Sequence, residues 1–249
     1  KEGTVSIWLK FDTGMGRLGF APQDAHELIQ QVQDLPAVRQ LGLMTHLACA
    51  DDLESDATVR QLECFRGFIA DFNGAVSIAN SPGIFGWPGV SGTFAGANGE
   101  RWIRPGIALY GISPFPGKTG ADLGLKPVMQ FEARLIAVKS LLKDARVGYG
   151  GIYQCASDTV MGVISVGYGD GYSRQFRTGT PVMMNGRKVP VIGNVSMDMI
   201  SVDLGSGAQD RIGDIATLWG DGLPVEEVAP WANAIAYELV CGITNREAS

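Results

Sequence analysis

Six residues that could bind an anion or move a proton stand at or just after the ends of predicted strands. Lys10 closes the apolar run TVSIWLK, His46 closes the run before ACADD, and Arg104 precedes a Pro-Gly pair. In parallel α/β folds the carboxyl edge of the sheet carries the active site, so this placement favours an enzyme. The six are Lys10, Arg17, His46, Asn80, Ser81 and Arg104.

Two loops have the composition of phosphate-binding loops. Ser81 lies in ANSPG, and Gly106 and Ile107 lie in WIRPGIALYG, each at a predicted strand end. A hydroxyl group and backbone N–H groups bind phosphate at such positions, and two ordinary turns are the alternative. The glycine-rich run at 12–19 lacks the Lys-Ser/Thr pair of a P-loop, which favours a tight βα turn. His46 fits either a catalytic or a structural role.

The elements that position these residues alternate between strand and helix. Strands are predicted at 4–10, 41–46, 75–79 and around 107–112, and helices from near residue 22 and over 55–72. This alternation predicts βαβ units and a parallel sheet. An eight-stranded barrel takes roughly 250 residues, and we expect about four further units upstream of Lys1, since half a barrel cannot cover its own edges.

Beyond residue 120 the pattern changes to short alternating strands separated by turns such as Asn185-Gly186 and Asp221-Gly222. This pattern predicts a second, mainly β domain at 121–249, after an α/β domain at 1–120. Tyr149 in VGYGGIY and Tyr168 in VGYGDGY are flanked by glycines, which lets each ring stand clear of the backbone.

Composition excludes several classes of protein. The chain has 249 residues, of which 45% are hydrophobic and 18% charged, as expected for a folded globular protein. A net charge of -6 leaves no cationic face for nucleic acid. No run reaches the roughly 20 apolar residues of a membrane span. The four scattered cysteines and two histidines predict no zinc site and fit a reducing compartment.

Eight motifs, taken together, closely resemble the alanine racemase family of fold-type III pyridoxal phosphate enzymes. The resemblance runs from Lys10 to Arg246. It implies an α/β plus β fold, namely the C-terminal part of a (β/α)8 TIM barrel followed by a mainly β domain, in a head-to-tail homodimer whose partner completes each site. The motifs are KFDTGMGRLGF, MTHLACAD, IANS, WIRPGIALYGISP, VGYGGIY, VGYGDGYSR, VPVIGNVSMDMISVDLG and AYELVCGITNR.

The resemblance implies pyridoxal phosphate as the cofactor and no metal. Arg104 would donate a hydrogen bond to the pyridine nitrogen and leave it unprotonated, because a guanidinium does not give up its proton. The phosphate cradle would consist of Ser81, the N–H groups of Gly106 and Ile107, and Tyr237, with Asn80 in support.

Racemisation needs a base on each face of the substrate. By resemblance one base is the cofactor lysine and the other is Tyr149 from the partner subunit, with His46 as the relay between Tyr149 and Arg104. These three residues would carry the catalysis on L-alanine and D-alanine.

Further residues match positions around the substrate. Met197 would meet the substrate carboxylate through its backbone N–H, and Arg17 would bind nearby. Lys10 matches a lysine that is often carbamylated, and the carbamate would hold Arg17. The access corridor would be lined by Tyr168, Asp198 and Arg174.

The sequence departs from the family pattern in three places. It contains no segment like KANAYGHG, which holds the cofactor lysine, so we expect the segment alone to be inactive. Asn194 stands where arginine is common, and the last four residues are REAS rather than RVPR. We expect a cytoplasmic alanine racemase serving cell-wall precursor supply or D-alanine catabolism. The alternatives are a racemase for serine, lysine or a broader set, and a module that only binds pyridoxal phosphate or dimerises.

Overall fold

The computed structural model describes residues 3–92 and 100–244, and the REAS tail lies outside them, as do the last two residues of AYELVCGITNR. The chain divides into two compact units. The first unit is Lys1–Leu109 with Pro114–Pro116, and the second is Tyr110–Ser113 with Gly117–Ser249. The division at residue 120 and the roles assigned to the two domains stay predictions.

The first unit is an α/β unit with a parallel sheet, as the alternating pattern predicts. Its four strands lie side by side in chain order, and all neighbouring pairs are parallel. The strands are Val5–Lys10 (β1), Val38–Met44 (β2), Ala75–Asn80 (β3) and Arg101–Arg104 (β4), and the helices are Ala25–Gln33 (α1), Ala57–Ile69 (α2), Ser81–Gly86 (α3) and Pro88–Gly92 (α4).

Helix α2 packs onto the sheet through an apolar stripe at helical spacing. Leu62, Phe65 and Ile69 are buried in the core of this unit, together with Phe11 at the end of β1. Val59 belongs to the same predicted stripe but is exposed, because the buried face of the helix runs through Thr58 and Leu62 and leaves Val59 to one side. The packing fixes α2 next to the carboxyl ends of β1 and β2.

The predicted fourth strand at 107–112 is wrong. The strand is Arg101–Arg104, and Gly106–Tyr110 forms a 3-10 turn. Pro105 ends the strand because it has no N–H to donate, and Gly106 then adopts a φ of 44°. The apolar residues that follow are therefore helical, and Arg104 becomes the last residue of its strand.

The second unit is mainly β, as predicted. It contains one long strand and several short ones, and two short helices follow the last strand. The strands are Phe131–Leu141 (β5), Arg146–Val147 (β6), Tyr153–Gln154 (β7), Thr159–Ile164 (β8), Pro181–Met184 (β9), Arg187–Ile192 (β10), Ile200–Asp203 (β11) and Ile215–Trp219 (β12), and the helices are Val225–Val228 (α5) and Ala236–Cys241 (α6).

Six of these strands close into an antiparallel barrel in the order β10-β11-β8-β5-β12-β9, while β6 and β7 form a separate hairpin. Asn185 and Gly186 join β9 to β10 with φ values of 45° and 77°, the conformation that a two-residue hairpin turn requires. The turn predicted from Asn-Gly is confirmed. In the described parts of the chain we find no helix with the length and apolar character of a membrane span.

Candidate functional site

The register of the parallel sheet brings several predicted residues to one edge. Lys10 pairs with Met44 across β1 and β2, and Asn80 pairs with Arg104 across β3 and β4. His46 lies two residues beyond Met44. The carboxyl ends of all four strands therefore meet, and they carry the side chains singled out in the sequence.

Arg104 is half-buried and held by neutral groups. One terminal nitrogen donates to Ser77 Oγ, and the other donates to the carbonyl oxygens of Thr45 at 2.7 Å and Ile78 at 3.1 Å. Within residues 3–92 and 100–244 we find no carboxylate paired with Arg104 and no hydrogen bond from its Nε–H. Burial lowers the pKa of Arg104, but a guanidinium stays charged in proteins. The site thus holds a positive charge whose protein partners are all neutral.

The His46 ring faces this guanidinium, with Nδ1 at 3.4 Å from a terminal nitrogen of Arg104. Burial lowers the pKa of His46, and the positive charges of Arg104, Arg17 and Lys10 lower it further. The imidazole is therefore neutral near pH 7, with one nitrogen able to accept a hydrogen bond and the other able to donate one.

The glycine-rich turn after β1 is closed by a carboxylate. Asp12 Oδ1 accepts the N–H groups of Gly14, Met15 and Gly16, and Oδ2 accepts that of Arg17 at 3.0 Å. These bonds, with that from Gly16 first, lower the pKa of Asp12. The carboxylate fixes the backbone that carries Arg17. Sequence reasoning missed Asp12, although an aspartate two residues before a glycine is a recognisable turn signal.

Ser81 and the loop after β4 lie against each other. Ser81 is only 2% exposed, and its Oγ accepts the N–H of Ala108 at 3.3 Å. A Cβ atom at Gly106 would lie 3.4 Å from the same Oγ. The first N–H groups of a helical turn have no partner inside it. The loop therefore presents backbone donors beside a hydroxyl group.

Asn80 holds the start of α3, where Ser81 lies. Its Oδ1 accepts the N–H of Gly83 and so caps α3, and its Nδ2 donates to the carbonyl oxygen of Leu47. Both ends of the amide are bonded to protein, which suits a positioning role.

Tyr149 lies in the second unit, in the 3-10 turn Tyr149–Gly151, and is 75% exposed. Its backbone carbonyl accepts a hydrogen bond from Asn194 Nδ2 at 3.0 Å. The residue that departs from the family pattern thus fixes the turn that presents the tyrosine.

Tyr168 and Met197 are brought together in the same unit. The N–H of Tyr168 donates to Ser196 O at 3.0 Å, and that of Gly169 donates to Met197 O at 2.8 Å. Both residues are about half exposed, at 44% and 49%. The other predicted residues of this unit, Arg174, Asp198 and Tyr237, are exposed as well.

Four polar residues near the sheet edge were missed by sequence reasoning. Only Asp12 could have been recognised from its local sequence, because tertiary contacts bring the other three to this edge. The four residues are Asp12, Thr45, Gln61 and Ser77.

In the part of the chain that the structure describes, no three His, Cys, Asp or Glu side chains cluster as metal ligands would.

The chain combines an α/β unit that has a polar cluster at its strand ends with an antiparallel β barrel that carries glycine-flanked tyrosines. These features define a class of two-domain proteins. Two family models match this chain: "Alanine racemase, N-terminal domain" over residues 1–114 and "Alanine racemase, C-terminal domain" over residues 128–249. The chain belongs to the alanine racemase family.

Individual relatives agree with this assignment. The alanine racemase of Vibrio parahaemolyticus is 48% identical over 246 residues, which are 98% of this chain and 66% of the relative. The crystal structure of the biosynthetic alanine racemase from Pseudomonas aeruginosa is 40% identical with a TM-score of 0.89, over 99% of this chain and 66% of that one. The alanine racemase structure from Acinetobacter baumannii is 35% identical with a TM-score of 0.88, over 97% of this chain and 65% of that one. The chain thus spans just under two thirds of the length of these relatives.

Proposed function

We propose that the protein is an alanine racemase that interconverts L-alanine and D-alanine with pyridoxal phosphate. The observation that carries the proposal is the Arg104 guanidinium, held at the sheet edge by neutral partners next to a neutral His46. This arrangement fits a ligand with a polar ring nitrogen and an anionic group, and it is found in a chain of the alanine racemase family.

The residues present fit pyridoxal phosphate. The Nε–H of Arg104 has no bond to the described residues and could donate to a ring nitrogen. The Ser81 hydroxyl and the N–H groups of Gly106 and Ile107 would bind the phosphate, where the missing side chain of Gly106 keeps the approach open. Tyr237 is assigned to the same group by family resemblance. When bound, this cofactor supplies an electron-withdrawing ring that stabilises negative charge at the substrate's α-carbon.

The chain's own residues would bind the substrate and hold its protons. Tyr149 is exposed on a glycine turn that Asn194 holds by a hydrogen bond, as a base acting on a second copy of the chain would need to be. His46 would relay between Tyr149 and Arg104, since its neutral ring both accepts and donates a hydrogen bond. The substrate carboxylate would be met by Met197 and Arg17, with Tyr168, Asp198 and Arg174 along the access corridor. A carbamate on Lys10 would hold Arg17.

The finer features of the family are part of the same proposal. Four consecutive parallel strands in chain order support a (β/α)8 barrel to which this sheet contributes its C-terminal part. A head-to-tail homodimer would bring Tyr149 of one copy to the strand ends of the other. We place the enzyme in the cytoplasm, supplying D-alanine for peptidoglycan or consuming it.

The test is proton exchange. The full gene product that contains this sequence would be incubated in D2O with pyridoxal phosphate and either L-alanine or D-alanine, and analysed by mass spectrometry and chiral chromatography. We expect deuterium at the α-carbon and formation of the opposite enantiomer from both substrates. Absence of both reactions would contradict the proposal, and faster turnover of serine or lysine would reassign the substrate.

A tyrosine variant tests the base on one face. Tyr149→Phe should lower α-deuteration of one enantiomer much more than that of the other, because only one face loses its base. Tyr153→Phe, at a half-buried tyrosine of the same unit that bonds Asp203, is the matched control and should leave both rates unchanged. Equal loss for both enantiomers in Tyr149→Phe would count against the assigned role.

A further inference from the structure

Gln61 on α2 is a buried amide whose hydrogen bonds all leave its own helix. Gln61 is only 3% exposed. Its Oε1 accepts the N–H of Ala48 at 2.8 Å, and its Nε2 donates to the carbonyl oxygen of His46 at 3.0 Å and to Thr13 Oγ1 at 3.3 Å. Both N–H groups of the amide are therefore used, together with one lone pair of its oxygen.

These partners belong to two loops that carry predicted site residues. His46 and Ala48 lie in the loop after β2, and Thr13 lies in the turn after β1, which carries Arg17. Thr13 Oγ1 is also 2.7 Å from Thr45 Oγ1, and the Thr45 carbonyl accepts a hydrogen bond from Arg104. One amide thus connects both loops, and through Thr45 it reaches the backbone that holds the guanidinium.

The surroundings are shaped to accept this amide. A Cβ atom at Gly14 would lie 3.2 Å from Cγ of Gln61, so the side chain lies directly against the bare backbone of the turn. Burying an amide is unfavourable unless its polar atoms are bonded, and an apolar side chain of the same length would fill the space without that cost. Filling the core therefore does not by itself explain an amide here.

We propose that Gln61 is a positioning residue that holds the His46 backbone and the Arg17 turn in the arrangement needed for racemisation. The inference rests on the proposed function for its catalytic part. Gln61 would touch neither substrate nor cofactor, and it would act by fixing where the His46 ring stands relative to Arg104.

The decisive variant is Gln61→Met, which keeps the length of the side chain and removes every hydrogen bond. In the unaltered protein, partial burial lowers the pKa of the His46 ring, and the positive charges of Arg104, Arg17 and Lys10 lower it further. Released from its tether, the ring should move away from these charges towards water, so its pKa should rise towards the ordinary value. The measurement is the pH titration of the His46 ring signals by NMR in the full gene product, with those signals identified by their loss in His46→Gln.

Activity supplies the second readout. Misplacement of a group by about 1 Å can cost up to about 100-fold in rate, so we expect Gln61→Met to lower kcat by about 10- to 100-fold with little change in KM. Gln31→Met on α1 is the matched control, because that amide is exposed and, among the residues that the structure describes, its side-chain hydrogen bond goes to Glu27 within its own helix. It should change neither the His46 titration nor kcat.

Gln61→Glu keeps the size and the acceptor but loses the donors to His46 and Thr13. This variant keeps the proposal testable if Gln61→Met does not fold, and it should raise the pKa of His46 through both loosening and its negative charge. A lower melting temperature with an unchanged His46 titration and unchanged kcat would overturn the proposal in favour of a purely structural role. If the unaltered protein does not racemise alanine, the proposed function fails, whereas the NMR titration still decides whether Gln61 positions His46.

Discussion

Arg104 combines a structural and a chemical task at the level of a single residue. Its two terminal nitrogens bond two backbone carbonyls and the hydroxyl of Ser77, which in turn donates to the carbonyl oxygen of Trp102. The planar guanidinium can make these contacts and still present Nε–H, because its five N–H groups point in fixed, divergent directions. An ammonium group has neither the reach nor the geometry to replace it.

We therefore predict that Arg104→Lys lowers both racemisation and stability. At least one carbonyl, that of Thr45 or of Ile78, would lose its partner, at a cost of about 1 to 3 kcal/mol in the free energy of unfolding. Urea unfolding measures this cost. Arg60→Lys on α2, where the arginine forms an exposed ion pair with the preceding Asp56, is the control and should change the free energy by less than about 1 kcal/mol. If both substitutions change the free energy of unfolding equally, the hydrogen bonds assigned to Arg104 do not stabilise the fold as proposed.

His46 makes stability depend on pH in a defined direction. The pKa of His46 is lowered in the folded state, so between the ordinary value of about 6.5 and the lower folded value the unfolded chain binds the proton more strongly. Lowering the pH through this window therefore reduces the free energy of unfolding, and raising it above about 6.5 restores the full stability.

The prediction is that His46→Gln reduces the loss of stability between pH 7.5 and 5.5. The measurement is urea unfolding at both pH values, compared with the unaltered protein and with His26→Gln, at an exposed position on α1. His26→Gln should retain the unaltered protein's pH dependence. If His46→Gln retains the same pH dependence, the lowered pKa of His46 does not cause the loss of stability, and the prediction is wrong.

At the level of elements, two glycines show how the same substitution can have opposite effects. Gly167 precedes Tyr168 in an extended backbone, and a Cβ atom there would lie 2.3 Å from the carbonyl oxygens of Ser196 and Met197. Gly67 lies in α2, and beyond its chain neighbours and the backbone of its own helix no described atom lies within 4 Å of its would-be Cβ. Contact between segments, and not backbone conformation, separates the two positions.

Gly167→Ala should lower the free energy of unfolding by about 1 to 3 kcal/mol, because the two segments must separate. It should also lower racemase activity, since Tyr168 and Met197 both move. Gly67→Ala should raise stability by about 0.5 to 1 kcal/mol, because alanine loses less backbone freedom in a helix. Thermal unfolding with a rate assay checks both, and a stable, fully active Gly167→Ala variant would refute the close approach.

At the scale of the whole molecule, the division of the site residues between two units has a consequence for assembly. Arg104 lies in the first unit and Tyr149 in the second. In the proposed head-to-tail dimer, the Arg104 of one copy and the Tyr149 of the other serve the same site. Two variants with impaired racemisation, one altered in each unit, should then complement each other.

Co-expressed copies of Arg104→Lys and Tyr149→Phe should regain about a quarter of the unaltered activity. Half of the randomly formed dimers contain one copy of each, and one of their two sites has both native residues. The measurement is alanine racemisation by the purified mixture, with each variant alone as the baseline. Activity no higher than the baseline would place both residues in a site built from one copy.

Much of the architecture follows from local pattern. Alternating apolar strands and helices predict the parallel sheet, and Asn185-Gly186 predicts its hairpin, because these signals act over a few neighbouring residues. The prediction of a strand at 107–112 was wrong for a local reason too, because Pro105 and Gly106 separate the observed strand β4 from the apolar run. The family likeness was also readable in the sequence, since whole motifs carry it.

The sequence by itself thus determined the two kinds of domain, the family and the residues at the strand ends. Only the tertiary structure decided how those residues are held. The pairing of Asn80 with Arg104, the neutral partners of the guanidinium and the tie from Gln61 to His46 and Thr13 all join residues distant along the chain. Such contacts depend on register and on how α2 packs against the sheet, and neither follows from the pattern of any one segment.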